Sequence, residues 1–156
     1  MRMAKGVEWA LHTLLNLDLA GGGPVGSNQL AAAHGLPVPY LTKQLQQLAR
    51  AGLVTSTPGP RGGYSLGGPL ETVTLLDVVM AIEGDTEPFQ CTEIRCSGRM
   101  GELSPTPTGP CVVKTAMRRA ERTWREALAA QTLAEIRAEL DSPATRQVVR
   151  ESLKPT

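Results

Sequence analysis

The chain has 156 residues, 41% apolar and 20% charged, which predicts one folded domain, or a small domain with an appendage, and excludes a disordered chain. The net charge of +1 excludes a strongly basic, histone-like binder but leaves room for a locally basic surface. Three cysteines, Cys91, Cys96 and Cys111, fall within 21 residues; the odd count argues against a purely disulfide-stapled secreted scaffold and favours a metal or redox site in a reducing compartment.

Aromatics are 3% of the chain, so the core must be built from Leu, Val and Ala. Arg2 and Lys5 precede an apolar run, but Glu8, His12, Asn16 and Asp18 interrupt it. Val7, Ala10, Leu11, Leu14 and Leu17 recur at helical spacing, which predicts an amphipathic helix over residues 4–19 rather than a signal peptide. No stretch approaches the roughly 20 apolar residues of a membrane span. A cytoplasmic protein with no membrane partner is expected.

Gly21-Gly22-Gly23-Pro24 ends that helix. Ser27 is placed to cap a short second helix, residues 28–33, which stops at His34-Gly35. Pro37 and Pro39 punctuate the start of a third helix that runs to about Ala51, with Leu41, Leu45 and Leu48 as its apolar stripe. Residues 53–57 read as a strand, Pro58 to Gly63 as a turn, and Tyr64-Ser65-Leu66 as the returning strand. A helix follows over residues 75–82, then a loop over residues 85–110. A long helix begins at Pro110, and Val113, Met117, Ala120, Trp124 and Ala127 repeat along it at intervals of 4, 3, 4 and 3, the spacing of a coiled-coil seam. Thr132 with Glu135 predicts a capping box for a short helix, and Ser142-Pro143 starts a last one. The fold class expected is mainly α with a small β-hairpin wing. The expected division is a winged helix-turn-helix over 1–84, a cysteine-bearing sensor loop over 85–110, and a long dimerisation helix with C-terminal helices over 111–156.

Charge is split along the chain: residues 1–70 carry a net +3 and the rest −2. The basic excess coincides with the helix-turn-helix pattern, as phosphate binding requires. On the third helix Tyr40, Lys43 and Gln47 lie opposite the leucine stripe, with Gln44 beside them. Gln can pair with an adenine edge, Lys can reach guanine or phosphate, and Tyr can contact phosphate. Arg61 at the wing tip can enter a minor groove or hold a phosphate, and Gly62 and Gly63 allow close backbone approach. With Ser27 at the start of the second helix, these residues form the expected contact set for double-stranded DNA.

The cysteines are spaced Cys91-x4-Cys96-x14-Cys111. The four-residue separation lets two thiolates meet one metal, and the long loop can return the third. Cys111 falls at a helix start, where the dipole favours thiolate. Three cysteines leave a four-ligand site one short, and no His lies near the loop. Glu8 and His12, at i and i+4 on the first helix, share one border of its apolar face. They form either a surface pair or a metal-ligand pair supplied to the cysteines, within one subunit or across a dimer. Trp9 either packs or reorients when the charge of such a centre changes.

Tyr40-Leu41 through Ala51-Gly52-Leu53-Val54, the Gly62-Gly63-Tyr64-Ser65-Leu66 wing, Val73 to Val79 running on to Ile82-Glu83-Gly84, and three cysteines before a helix that holds Trp124 together resemble a known family over almost the whole chain. It is the winged-helix iron–sulfur transcriptional regulators of the IscR and NsrR type. The Glu8 and His12 pair is most similar to the RsrR-type redox sensors among them. The resemblance implies a homodimer paired through the long helix (Val113, Met117, Ala120, Trp124) on a pseudo-palindromic operator. It also implies a [2Fe–2S] cluster shared between subunits, with Glu8 and His12 from one and two of Cys91, Cys96 and Cys111 from the other. The expectation is therefore a redox-sensing repressor whose operator affinity follows the cluster, with no small-molecule substrate. A cluster-free regulator switched by thiol oxidation is the alternative. A small redox enzyme has no Cys-x-x-Cys, nucleotide-binding glycine pattern or Ser/His/Asp set to support it.

Overall fold

The computed structural model describes residues 3–103 and 108–155; Arg2, part of the basic excess above, lies outside them. Among the described residues the elements are α1 (Lys5–Ala20), α2 (Ser27–His34), α3 (Val38–Arg50), β1 (Val54–Thr57), β2 (Gly63–Leu66), a 3-10 turn at Leu70–Thr72, α4 (Leu75–Glu83), a second 3-10 turn at Ile94–Cys96, α5 (Gly98–Leu103), α6 (Val112–Ala129), α7 (Leu133–Leu140) and α8 (Pro143–Ser152). The described residues divide into two units, one of residues 3–84 with 128–155, the other of residues 85–103 with 108–127.

The first unit is a winged helix. Its apolar residues sit where helical periodicity requires: Ala10, Leu14 and Leu17 on α1, and Leu41, Leu45 and Leu48 on α3, are almost wholly buried in one cluster. Val25, Val54 and Leu70 extend that cluster under the hairpin. β1 and β2 pair antiparallel with Val54 opposite Leu66 and Thr57 opposite Gly63. A third rung joins the hairpin to the turn before α2, where the Val25 and Tyr64 backbones exchange hydrogen bonds of 2.8 and 2.9 Å.

The wing glycines are required by the hairpin itself. Gly63 has φ of 152°, and a Cβ there would lie 2.5 Å from the Val25 backbone; at Gly62 it would collide with the Thr57 carbonyl. Both positions demand glycine because the hairpin closes against its own protein, whatever lies outside. Ser27 differs from the expectation: Gly26 is the N-cap of α2, and its N–H donates to the Gln29 Oε1 at 2.9 Å, leaving Ser27 as the first helical residue.

The C-terminal helices belong with the winged helix rather than with the long helix. Leu133 is fully buried in the same cluster, joined by Val149 and Leu153. The Leu133 N–H donates to the Val73 carbonyl at 2.8 Å and the Leu75 N–H to the Gln131 carbonyl at 3.0 Å. Thr132 and Glu135 form the expected capping box, mirrored by Thr74 and Asp77 at the start of α4. Helices as short as α7 and α8 are marginal alone and need a ready apolar surface; the core under α1 supplies it. Leu133→Ala should therefore cost about 2–5 kcal/mol of folding free energy, read from the denaturant midpoint. An unchanged midpoint would place α7 outside the core.

The second unit is built along α6. Residues 85–110 are not all loop: they contain the 3-10 turn at Ile94–Cys96 and α5. Asp85 meets Arg125 at 3.0 Å and Glu87 meets Arg118 at 2.6 Å, so the segment runs back along α6 toward its N-terminus. On α6 itself, Glu121 and Arg125 form an i,i+4 ion pair at 2.9 Å.

Candidate functional site

α3 presents one buried and one open face. With Leu41, Leu45 and Leu48 turned inward, Pro39, Lys43, Gln46 and Arg50 form an exposed stripe at helical spacing, with Tyr40 beside it and 63% exposed. Arg61 is exposed at the wing. Two expected contact residues are engaged elsewhere. Gln47 is half-buried, and its Nε2 donates to the Ile82 carbonyl at 3.1 Å, tying α3 to α4. Gln44 lies against Gly6 of α1, where even a Cβ would come within 2.6 Å of its Oε1. The stripe instead brings in Gln46 and Arg50, which the sequence reading left out. The signal was present: positions 43, 46 and 50 lie opposite 41, 45 and 48 on a helical projection, whereas 44 and 47 fall at the borders of the apolar face.

Glu8 and His12 are exposed on α1 and line one small hollow, about 210 Å³, with Trp9, His34 and Leu36. The His12 and His34 rings are 5.9 Å apart, and the His34 Nε2 is 2.6 Å from the Asn16 Nδ2. Burial, and then the charge of His12, lowers the His34 pKa. Trp9 is half-buried and meets Tyr40 edge-on, with ring centroids 6.4 Å apart at 89°. The residue next to Glu8 thus touches the exposed aromatic of α3.

In the other unit the structure brings together two of the three cysteines. Cys91, Glu93 and Cys111 place their sulfur and carboxylate atoms within 4.8 Å of one another. Cys96 is exposed and stands outside this group. Cys111 directly precedes α6, and its carbonyl accepts from the Thr115 N–H at 3.0 Å. The Lys114 backbone N–H, followed by that of Val113, the Cys91 thiol and the Arg95 guanidinium, lowers the Cys111 pKa against an opposing effect of desolvation. At Cys91 the Glu93 backbone N–H lowers the pKa, but desolvation, the Glu93 carboxylate and Cys111 together raise it. The Glu93 carboxyl is held down by its hydrogen bond with Arg95 at 2.7 Å. Arg95, Lys114 and Arg118 line the same hollow as the two thiols. The sequence alone left the choice of cysteines open because it could not show the ion pairs that align residues 85–91 with α6. Glu93 and Arg95 were missed for the same reason.

No residue of α6 is buried in the single chain. Val113 and Met117 are 55% and 43% exposed, Ala120 is exposed, and Trp124 is half-buried. Met117, Ala120 and Trp124 line an apolar hollow of about 360 Å³ with Pro88 and Phe89. This is an uncovered seam of the kind expected of a paired helix.

A buried three-helix core, an exposed polar and basic helix face and an adjoining β-wing define a winged helix-turn-helix protein. The Rrf2 family profile, described as an iron-dependent transcriptional regulator, matches residues 3–139, and the chain belongs to that family. YwgB of Bacillus subtilis, named as an HTH-type transcriptional regulator, is 32% identical over 134 residues, 85% of this chain and 82% of its own. Among solved structures, IscR of T. potens superposes with a TM-score of 0.66 at 24% identity, covering 90% of this chain and 89% of that one. CymR, the global cysteine regulator of B. subtilis, superposes at 0.62 and 24% identity, covering 90% and 99%. The expected fold and family stand. Rrf2 regulators bind DNA and act as dimers, and the relatives are transcriptional regulators rather than enzymes. No helix among the described residues is long and apolar enough to cross a membrane.

Proposed function

We propose that this chain is a redox-sensing repressor of the RsrR type, whose operator binding is set by a [2Fe–2S] cluster. The ligands are Cys91 and Cys111 of one protomer with Glu8 and His12 of the other. The observation that carries the reading is the pairing of the Cys91 and Cys111 thiols, apart from Cys96, in a family described as iron-dependent. The donor chemistry fits: two adjacent thiols suit one iron, and a carboxylate and an imidazole suit the second. Backbone N–H groups at the start of α6 and the Arg95 guanidinium favour the thiolate that such a ligand requires.

The cluster, when bound, supplies a one-electron change of charge. A unit charge at about 4 Å and an effective dielectric near 20 is worth about 4 kcal/mol, and a 100-fold change in affinity needs about 2.7 kcal/mol. One electron is therefore sufficient if it reaches the DNA-reading face. The path offered by this chain is short: Glu8 and His12 sit on α1, Trp9 lies between them, and Trp9 packs edge-on against Tyr40 of α3. Lys43, Gln46 and Arg50 of α3 read the operator, with Arg61 on the wing, and α6 pairs the protomers through Val113, Met117, Ala120 and Trp124.

Protein purified without oxygen should absorb in the visible and contain iron and sulfide in near-equal amounts. Glu8→Ala and His12→Ala should each alter that spectrum; wild-type spectra in both would remove them as ligands. The contact between the Cys91 and Cys111 thiols also favours a second reading, a cluster-free switch in which they close a disulfide. Colourless, iron-free protein whose DNA binding follows dithiothreitol would establish that alternative.

A further inference from the structure

Glu93 is the observation that the cluster reading leaves unused. We infer that Cys91, Glu93 and Cys111 form a single-subunit site for one thiophilic divalent cation such as Zn²⁺ or Fe²⁺, with Glu93 as its oxygen ligand. The site shares Cys91 and Cys111 with the proposed cluster, so the two are alternative occupants of those thiols, but it uses neither Glu8, His12 nor sulfide and does not rest on the cluster reading.

The geometry is that of a chelate. The Cys91 Sγ lies 3.4 Å from the Glu93 Oε1, and all three donor atoms lie within 4.8 Å of one another. Metal–sulfur bonds near 2.3 Å and metal–oxygen bonds near 2.0–2.2 Å at tetrahedral angles require donor separations of about 3.5–3.8 Å. Small adjustments of three side chains on the surface of the unit meet that requirement.

The carboxylate is also held in place. Among the described residues Glu93 is the non-glycine residue with a left-handed backbone, at φ of 51°, and this conformation needs support from its surroundings. Arg95 provides it: its Nη2 binds the Glu93 Oε2 at 2.7 Å, and its guanidinium reaches the Gly109 carbonyl at 3.4 and 3.5 Å. One arginine thus ties the Glu93 turn to the segment that leads into Cys111. It occupies one carboxylate oxygen and leaves Oε1 on the side of the thiols, as an outer-shell partner of a metal ligand does.

Charge and selectivity follow. Two thiolates and a carboxylate leave a bound divalent cation with a net charge of −1, which Arg95 and Lys114 in the same hollow offset. Two sulfur donors favour Zn²⁺ and Fe²⁺ over Mg²⁺ or Ca²⁺, and the fourth position is left to water.

The test uses the full-length protein, cluster-free, reduced and kept under argon, titrated with Co²⁺ and followed by absorption. One Co²⁺ per chain is expected, with sulfur-to-cobalt charge transfer from two thiolates, tetrahedral ligand-field bands and displacement by Zn²⁺. Glu93→Gln should weaken Co²⁺ binding at least about ten-fold and shift the ligand-field bands. Cys96→Ser and the Glu8→Ala/His12→Ala pair should leave both unchanged. Equal affinity and spectrum in Glu93→Gln would overturn the inference. So would loss of Co²⁺ in the Glu8→Ala/His12→Ala pair, because the bare metal would then be held by Glu8 and His12 rather than by Glu93. Failure of iron and sulfide to load would count against the cluster reading alone.

Discussion

A chain carrying Cys91→Ser or Cys111→Ser is expected to purify anaerobically without iron or sulfide, while Cys96→Ser keeps both. The difference follows from the ion pairs that run Asp85 and Glu87 along Arg125 and Arg118, delivering Cys91 to the N-terminus of α6. Cys96 is the last residue of the 3-10 turn and lies outside the donor group. On the proposed ligand set, removing one of the two adjacent thiols takes away a ligand and leaves the other in the hollow with Arg95 and Lys114 without a metal. Metal analysis and visible absorption measure the outcome directly. Full loading in either Cys91→Ser or Cys111→Ser would show that a different pair of cysteines holds the iron.

The Lys43→Ala/Arg50→Ala double variant should bind operator roughly 30- to 150-fold more weakly, equivalent to about 2–3 kcal/mol. Both residues lie on the exposed stripe of α3 and neither contributes to the buried cluster, so the circular dichroism spectrum and the unfolding midpoint should not move. On the proposed reading, in which both cations face phosphate, their loss should also lower the slope of log affinity against log salt by about 2. Gln47→Ala should behave differently. It breaks the hydrogen bond to the Ile82 carbonyl and should cost about 1 kcal/mol of stability, with a smaller effect on DNA. Wild-type operator affinity in the double variant would remove α3 as the reading helix.

What could be read from the sequence follows from the range of the interactions involved. The leucine stripe of α3, the capping box at Thr132 and Glu135, and the β-hairpin between residues 54 and 66 are local patterns, and all three are present. Their periodicity and side-chain chemistry are complete within about a dozen residues. The misplaced features depend on distant partners. Leu133 and Val149 have apolar character that says nothing of where they are buried, and their partner is the core around α1. Gln47 looks like a base-reading residue until the Ile82 carbonyl is seen 3.1 Å away. Gly62 and Gly63 read as turn residues that allow close approach, and the added demand of the Thr57 and Val25 backbones, which fill the space a Cβ would take, shows only in the folded hairpin.

The candidate site divides in the same way. The i,i+4 spacing of Glu8 and His12 placed them on one border of α1, and they do line one hollow. The choice of Cys91 with Cys111, and the presence of Glu93 and Arg95 beside them, depended on pairings across about 15 residues and more. The contact between Trp9 and Tyr40 joins residues 31 apart and gives the proposed coupling a physical link that no local pattern could supply.

The most direct test of the central claim is the operator affinity of one anaerobic, cluster-loaded preparation before and after one-electron reduction. The operator is a duplex selected by the protein from a random pool, and binding is read by fluorescence anisotropy at fixed salt. A difference of about 100-fold or more between the two states is predicted, shrinking strongly in Trp9→Ala. Equal affinity in the oxidised and reduced states of the loaded wild-type protein would contradict the account.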